Sequence, residues 1–281
     1  MKNIKQLLLL MAVMLSVASC NTNKETPNSE AQKVLVLYYS QTSNTKAVAQ
    51  EIANKLGADI EEITLRQPYD GDFQATIARC MQEREKGETP TINPIVANIA
   101  DYDAIFLGYP VWFGTYATPI ASLLDSVDFS GKNVVLFCTF GSGGLDSSVR
   151  DFVTKYPQAN VVASYGVRAA RVSAMPKEVD QFLKANGFIE GKYNVPLPFG
   201  NQHPVTEEEM TLFNTAVGDY PMINAEARTY AKRMLENGTE YMFKAIDLSH
   251  DDSHSATPAA ELTIYVLVAD GEAPVFTQVM R

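Results

Sequence analysis

The sequence predicts an α/β protein with a doubly wound parallel sheet, followed by a smaller α+β unit. Short apolar runs recur along the first part, and each is followed by a longer stretch with helical periodicity. The runs are apolar on both faces, as in strands of a parallel sheet that helices cover on both sides. Alternation of strand and helix indicates βαβ units. The alternation stops after Gly187, where a different unit is expected.

The first part, residues 32–193, is predicted to hold a five-stranded parallel sheet and five helices. The strands are expected at 33–39, 58–65, 103–109, 133–140 and 160–167. The helices are expected at 44–56, 73–86, 117–127, 145–155 and 176–186.

The second part follows a proline-containing linker at 194–205 and covers residues 206–281. Its roughly 75 residues are enough for a small domain. A short helix is predicted at 206–216, while the pattern of 223–235 is compatible with either a helix or a strand. The final segment alternates like a β-hairpin around Asp270-Gly271.

The N-terminal residues 1–20 have the pattern of a secretory signal, with two lysines, a short apolar run and small residues before Cys20. The sequence Val17-Ala18-Ser19-Cys20 resembles a bacterial lipobox, which implies a lipid anchor on Cys20. We therefore expect a membrane-anchored protein of the cell envelope, on the periplasmic or outer-membrane face. An ordinary signal peptide cut nearby is the alternative. The polar residues 21–31 are expected to be a tether.

Composition narrows the classes of function. The chain is 46% hydrophobic and 20% charged, as in ordinary globular proteins. Its net charge of −10 argues against nucleic-acid binding and against electrostatic docking to anionic lipid. Besides Cys20 there are only Cys80 and Cys138, so no disulfide framework is expected, although an exported protein could pair them. Cys138 lies within an apolar strand and is expected to be a buried small hydrophobe.

The junction of the first predicted strand and helix carries six hydroxyl or amide side chains in a row: Ser40, Gln41, Thr42, Ser43, Asn44 and Thr45. Ligands of open α/β sheets bind outside the carboxyl ends of the strands. A helix N-terminus offers free N–H groups and a partial positive charge, so this run suits a phosphate monoester. Capping of the helix is the alternative explanation, although it accounts for only one or two of these residues.

The run "SQTSNT" resembles the phosphate loop of flavodoxins, which bind the 5′-phosphate of FMN. The resemblance implies that Ser40, Thr42, Asn44 and Thr45 contact the phosphate. The family pattern usually has Gly where Ser43 stands, and Gly permits a closer approach of the backbone.

A second loop, "LGYPVWFGTYATP", follows the third predicted strand. It resembles the "GYPxWW" loop of a bacterial flavodoxin-like family, and this implies flavin contacts from Pro110, Val111, Trp112, Phe113 and Gly114. Aromatic side chains supply the flat apolar partners that an isoalloxazine ring needs. Gly114 is expected to let the backbone approach the flavin edge and to change conformation on reduction. An aromatic pair that only caps the core is the alternative.

A third loop, "TFGSGGLDSS", follows the fourth predicted strand and resembles the third flavin-contact loop of that family, near "TSGxSG". The resemblance implies contacts from Thr139, Phe140, Gly141, Ser142, Gly143 and Gly144, with backbone N–H groups facing the pyrimidine carbonyls. Phe140 replaces a small residue of the family pattern, and it either stacks on the flavin or turns inward. The flavodoxin resemblance extends over roughly residues 33–188.

The second part resembles cystatin-like domains, in which a small antiparallel sheet wraps a helix. The likeness lies in "RMLENGTEYMFKAID" and "TIYVLVADGEAPVFTQV", and it implies that residues 230–235 form a strand. Protease inhibition is not expected, because the Gln and both Val residues of the inhibitory hairpin are absent. His250 and His254 flank two aspartates, so a metal site is conceivable there, but a solvated loop explains the pattern better.

Three functions remain after these observations. FMN would carry the electron chemistry, so the first is a lipid-anchored electron-transfer protein with an unknown redox partner. The second is an FMN-dependent NAD(P)H:quinone or flavin reductase, which is disfavoured because pyridine nucleotides are scarce outside the cytoplasm. The third is a partner-binding lipoprotein with a vestigial flavin site, and the retained hydroxyl run and Trp112 argue against it.

Overall fold

The apolar runs of the first part form a parallel sheet. The computed structural model describes residues 32–69, 71–218, 220–249 and 260–281. The strands of this sheet are β1 (Val34–Tyr38), β2 (Asp59–Glu62), β3 (Ala104–Trp112), β4 (Thr115–Tyr116), β5 (Asn133–Phe140) and β6 (Asn160–Arg168). Five of them are parallel in the order β2-β1-β3-β5-β6, and β4 pairs antiparallel with β3. The doubly wound sheet is therefore confirmed.

Helices cover both faces of the sheet, as the two-sided apolar runs predict. They are α1 (Asn44–Leu56), α2 (Phe73–Lys86), α3 (Thr118–Ser126), α4 (Leu145–Lys155) and α5 (Met175–Ala185). Successive side chains of a strand point to opposite faces. Leu35 and Leu37 accordingly join one core cluster with α3 and α4, and Val36 joins the other with α1 and α5.

The order of the strands indicates where a ligand crevice lies. After β1 the chain forms β2 on one side, and then crosses to β3 on the other side of β1. Such a reversal is the topological switch point at which open α/β sheets bind ligands, outside the carboxyl ends of the strands. The crevice thus lies where β1 and β3 end.

The second part is an antiparallel sheet with one helix. Its elements are β7 (His203–Pro204), α6 (Glu207–Val217), β8 (Ala225–Leu235), β9 (Gly238–Asp247), β10 (Glu261–Ala269) and β11 (Val275–Met280). The sheet order is β11-β10-β9-β8-β7, so β10 and β11 form the predicted hairpin. Phe213 and Val217 of α6 pack with Phe243, Ile264 and Phe276 of the sheet. A helix on an antiparallel sheet matches the expected architecture, while a kinship with cystatins stays a prediction.

The segment 223–235, whose pattern is compatible with a helix or a strand, contains the strand β8 (Ala225–Leu235). The segment "AKRML" has helix-forming residues, but β8 is paired with β9 along its length and with β7 at His203 and Pro204. Pairing and burial of Ala227 and Ala231 against the core override the local preference. The predicted linker thus supplies a strand, β7, to the second sheet.

Several predicted features lie outside the described residues, namely the signal sequence, Cys20, the tether, His250 and His254. Within the described residues no helix is long and apolar enough to cross a membrane. The same residues contain no group of three or more His, Cys, Asp or Glu suited to a metal ion. Cys80 and Cys138 are both free and buried, and burial raises the pKa of each thiol.

Candidate functional site

The three loops singled out by the sequence meet at one edge of the sheet. They lie at the carboxyl ends of β1, β3 and β5, which are adjacent and parallel, and the second and third loops include the last residues of their strands. Tyr38 at the end of β1 is in register with Gly108 of β3, and Pro110 of β3 is in register with Thr139 of β5. Residues 40–45, 110–114 and 139–144 are called the first, second and third loops below.

The first loop leaves the N-terminus of α1 open. Ser43 is the N-cap residue, its side chain makes no capping hydrogen bond, and the first turn contains no acidic residue. The partial positive charge of this helix end therefore has no acidic side chain of the first turn beside it. Ser43 has a φ of 65°, in the left-handed region that favours Gly. Ser43 thus adopts a backbone conformation that Gly would adopt without strain.

The donors of the first loop are neutral. The Asn44 amide donates to the Thr42 hydroxyl at 3.1 Å, and the Ser40 hydroxyl accepts from the Lys46 backbone N–H at 3.2 Å. The Lys46 ammonium is paired with Glu62 at 3.0 Å, so the neighbouring cation already has an anionic partner. This set of hydroxyls, amides and helix N–H groups has the chemistry that a phosphate monoester requires.

Thr45 differs from the rest of the first loop. Its side chain is buried, and its hydroxyl is 2.8 Å from the hydroxyl of Thr139 in the third loop. The hydrogen bond joins two of the three loops beneath the site. Gln41 is also engaged within the protein, because its side-chain oxygen accepts from the Tyr39 hydroxyl. Ser40, Thr42 and Asn44 are therefore the residues of this loop best placed to offer donors to a ligand.

The second loop is a tight hairpin turn between β3 and β4. Val111 and Trp112 pair with Tyr116 and Thr115, which leaves two central residues. Both have positive φ, 51° at Phe113 and 81° at Gly114, as in a type I′ turn. Gly is favoured at the second position, whereas a bulky aromatic residue with positive φ is rare and strained.

The two aromatic side chains of this loop point to different surroundings. Trp112 is half-buried and edge-on to Tyr39 and Tyr69, with ring centroids 5.8 Å and 5.3 Å away. Phe113 is half-exposed, and the Arg84 guanidinium lies 5.0 Å from its ring centroid. Trp112 packs against the core, so it is the better anchored of these two aromatic side chains.

A buried carboxylate holds Tyr69, which packs edge-on against Trp112. The Tyr69 hydroxyl donates to Glu83 at 2.6 Å, and Arg79 donates to the other oxygen of that carboxylate at 2.9 Å. Burial, reinforced by the hydrogen bond to Glu83, raises the pKa of Tyr69, so its hydroxyl remains a neutral donor. Sequence reasoning missed these residues; the i,i+4 spacing of Arg79 and Glu83 was the only visible signal.

A groove of about 520 Å³ borders the second loop. Its aromatic lining comes from Trp112, Phe113 and Tyr116, and its charged lining from Arg84, Asp151 and Lys155. Pockets of this size accept small organic molecules. Of the three loops, the lining includes the second alone.

The third loop is held on several sides. Phe140 is 4% exposed and belongs to the core, so of the two alternatives for this residue the structure shows the inward one. Gly144 has a φ of 112°, and a Cβ there would lie 2.5 Å from Cγ1 of Val111. Ser147 donates to the Gly114 carbonyl. The second and third loops are thus in direct contact, and Gly144 cannot carry a side chain without a shift.

Arg168, which sequence reasoning also missed, contacts the third loop from behind. It is the last residue of β6, is buried, and its Nε donates to the Gly141 carbonyl at 2.9 Å. Burial lowers the pKa of this guanidinium. No local pattern marks an arginine as buried, because the residues that cover it come from the C-terminal sheet.

Comparison with known proteins agrees with this arrangement. The family model described as Flavodoxin matches residues 33–186, which is more than half of the chain. The fold and the three loops define a flavodoxin-like flavoprotein. The chain belongs to the flavodoxin family.

Individual relatives cover part of the chain. An NAD(P)H dehydrogenase (quinone) 3 of Rhizobium meliloti (strain 1021) is 32% identical over 126 residues, which are 42% of this chain and 58% of that protein. The chain therefore spans less than two thirds of that relative. A flavoprotein from Lactobacillus acidophilus NCFM in complex with FMN is 27% identical, with a TM-score of 0.47 over 54% of this chain and 99% of that one. Oxidised Flavodoxin 2 from Bacillus cereus is 18% identical, with a TM-score of 0.36 over 54% and 99% of the two chains.

FMN is the cofactor that the family membership supports, and the residues present fit it. The open helix end and the neutral donors of the first loop suit its phosphate. Trp112 offers an anchored aromatic surface for its ring. The third loop brings backbone groups of three glycines to the same edge of the sheet.

Proposed function

We propose that this protein is an FMN-binding electron-transfer protein of the bacterial cell envelope, anchored to a membrane by lipid on Cys20. The observation that supports it most is the meeting of three loops at the switch point, with neutral donors in the first loop and a helix end that the Ser43 side chain leaves uncapped. FMN, when bound, supplies the electron chemistry, and the protein supplies binding and orientation.

The chain's own residues have distinct tasks in this proposal. Ser40, Thr42 and Asn44 donate hydrogen bonds to the phosphate, together with the first N–H groups of α1. Trp112 covers a face of the ring and excludes water from it. An apolar, aromatic site in a protein of net charge −10 disfavours added negative charge. That environment favours a carrier of low potential.

A quinone or flavin reductase is the second candidate. Two observations favour it, the name of the Rhizobium meliloti relative and the groove beside Trp112. The groove combines aromatic surface with the cations Arg84 and Lys155, so an anionic or quinone-like aromatic molecule suits it chemically. A partner-binding protein with a vestigial flavin site is the third candidate, and it predicts that FMN does not bind.

The decisive experiment titrates FMN into the chain lacking residues 1–20 and follows flavin fluorescence. We expect quenching with sub-micromolar affinity, and then reduction in two separate one-electron steps during a stepwise titration followed by absorbance. Rapid turnover of NAD(P)H with a quinone would instead establish the reductase. The absence of any FMN binding would leave only the third candidate.

A matched pair of variants tests whether the phosphate site is neutral. Thr42→Val removes a hydroxyl donor and keeps the shape of the side chain, whereas Lys46→Gln removes the nearby cation that Glu62 already pairs. We expect Thr42→Val to weaken FMN by about 1 kcal/mol or more, because the lost donor faces a charged group, and Lys46→Gln to have a smaller effect. The reverse order would contradict the assignment.

The lipid anchor is tested separately with a labelled fatty acid in a bacterial host. We expect the full chain to incorporate the label and to sediment with membranes, and Cys20→Ala to do neither. Labelling of the Cys20→Ala variant would contradict the proposed anchor. Neither outcome bears on FMN binding, so the lipid anchor and the FMN site are tested independently of each other.

A further inference from the structure

The edge strand of the C-terminal sheet reaches the third loop. β11 is the last strand in the order β11-β10-β9-β8-β7, so only one of its sides pairs within the sheet. Val279 lies opposite Ile264 of β10, and its backbone N–H donates to the Ser142 carbonyl at 2.8 Å. The third loop thus occupies the free side of β11.

The glycines of the third loop allow this close approach. A Cβ on Gly143 would lie 2.1 Å from the carbonyl oxygen of Val279, a distance that no side chain tolerates. A Cβ on Gly141 would lie 2.9 Å from the Tyr220 hydroxyl. Gly143 is therefore also required by contact with the backbone of the C-terminal unit, and Gly141 lies close to a side chain of that unit.

Arg168 links the same two parts of the molecule. Its Nε donates to the Gly141 carbonyl at 2.9 Å, and its Nη1 donates to the Phe276 carbonyl of β11 at 2.8 Å. The guanidinium also lies 3.3 Å from the ring centroid of Phe276 and 5.2 Å from that of Tyr220. The planar fork of an arginine makes such paired, stacked contacts, and a lysine does not reproduce them.

We propose that Arg168 and the Val279 N–H are positioning groups that hold the third loop in its flavin-binding conformation, so that the C-terminal sheet completes the FMN site. The inference rests on the proposed function as far as the ligand is concerned. Its physical basis is conformational entropy. A loop with three glycines has many conformations in the absence of contacts, and a ligand that must order it binds more weakly than one that meets an ordered loop.

A pair of substitutions at Val279 tests the positioning. Val279→Ala shortens the buried apolar side chain and keeps the N–H, whereas Val279→Pro replaces the side chain by an apolar ring and removes the N–H. Proline is tolerated in an edge strand where the N–H is not part of the ladder, and the Val279 N–H donates to Ser142 rather than to β10. At Val279 the proline ring also places a carbon against the Ser142 carbonyl, so Val279→Pro both removes the hydrogen bond and pushes the third loop away from β11.

The first readout is hydrogen exchange of a peptide spanning 139–145, measured by mass spectrometry on cofactor-free protein from Gln32 to Arg281, which is one compact unit. We expect about five- to tenfold faster exchange in Val279→Pro than in Val279→Ala, the factor that a net hydrogen bond contributes. Equal exchange in the two variants would overturn the proposal. Unchanged thermal unfolding cooperativity and circular dichroism show that the C-terminal sheet is still folded.

The second readout is FMN affinity from fluorescence quenching. We expect the Kd of Val279→Pro to exceed that of Val279→Ala by about five- to tenfold. Arg168→Lys, which keeps the charge and loses the fork, should raise both exchange and Kd, and it serves if Val279→Pro fails to fold. Faster exchange with an unchanged Kd in these variants would overturn the positioning role. If even the unsubstituted protein does not bind FMN, the proposed function fails, and the exchange difference alone decides whether the C-terminal sheet orders the loop.

Discussion

The hydrogen bond between Thr45 and Thr139 gives the sharpest test of how the first and third loops are joined. Thr45 is 1% exposed and Thr139 is 4% exposed, and their hydroxyl oxygens are 2.8 Å apart. Replacing either residue by Val keeps the size of the side chain and leaves the other hydroxyl buried without this partner. An unpaired buried hydroxyl costs about 1–3 kcal/mol.

The double variant distinguishes this cost from a general loss of packing. Thr45→Val together with Thr139→Val replaces two polar groups by two apolar ones of similar shape, a change that can be nearly neutral. We therefore expect each single variant to lose about 1–3 kcal/mol and the double variant to lose less than the sum. The interaction energy of the cycle should be about 1–2 kcal/mol.

The assay is urea unfolding of the cofactor-free protein, with the midpoint and the m-value read from the same curve. Thr42→Val is the matched control, because Thr42 is exposed in the first loop and its loss should cost less than about 0.5 kcal/mol. Additive effects of the two buried substitutions would show that the hydroxyls are independent. That result would refute the link between the loops, whatever the protein does with FMN.

Three further predictions concern separate parts of the molecule. Trp112→Ala should weaken FMN binding by about 1–3 kcal/mol in a fluorescence titration, with Trp112→Phe closer to the original protein, and an unchanged affinity would remove Trp112 from the site. Ser43→Gly should raise the free energy of unfolding by up to about 1 kcal/mol in urea, because Gly adopts positive φ without strain, and Ser43→Ala should not; a loss of stability in Ser43→Gly would contradict the strain. The hydroxyl of Thr206 donates to Glu209 and holds the pKa of this carboxyl below its usual value. The ionised Glu209 therefore stabilises the folded protein fully above the pKa of an unfolded Glu. This stabilisation is lost as the pH falls through the pKa of Glu209 in the folded protein. The thermal midpoint of Glu209→Gln should accordingly fall less on acidification than that of the original protein. Plots of midpoint against pH that run parallel for the two proteins would contradict this.

Local patterns determined most of the first part of the protein. The helices predicted at 44–56, 73–86 and 145–155 and the strand predicted at 133–140 have the same bounds in the structure. Strands that are buried on both faces and helices with one apolar face can be recognised from the spacing of apolar residues within a short stretch of sequence. The three loops were likewise visible, because each lies directly after a strand and its composition is unusual for a connection.

The secondary structure of the second part depended more on contacts with residues distant in the sequence. Residues 225–235 have helix-forming composition and yet form β8, because two neighbouring strands supply the hydrogen bonds and the core supplies the burial. The preference of a residue for a strand reflects packing on the neighbouring strands more than an intrinsic tendency of the backbone. No window of the sequence contains those neighbours.

The sequence by itself determined that polar, aromatic and glycine-rich loops end three parallel strands, and these loops predict a flavin site at one edge of the sheet. Only the tertiary structure decided how these residues are used. It turns Phe140 into the core, joins Thr45 to Thr139, and sets Arg168 and Val279 against the third loop. Each of these contacts joins residues that are distant in the sequence or buries a side chain beneath such residues. Their energies come from burial and geometry that exist only once the chain has folded.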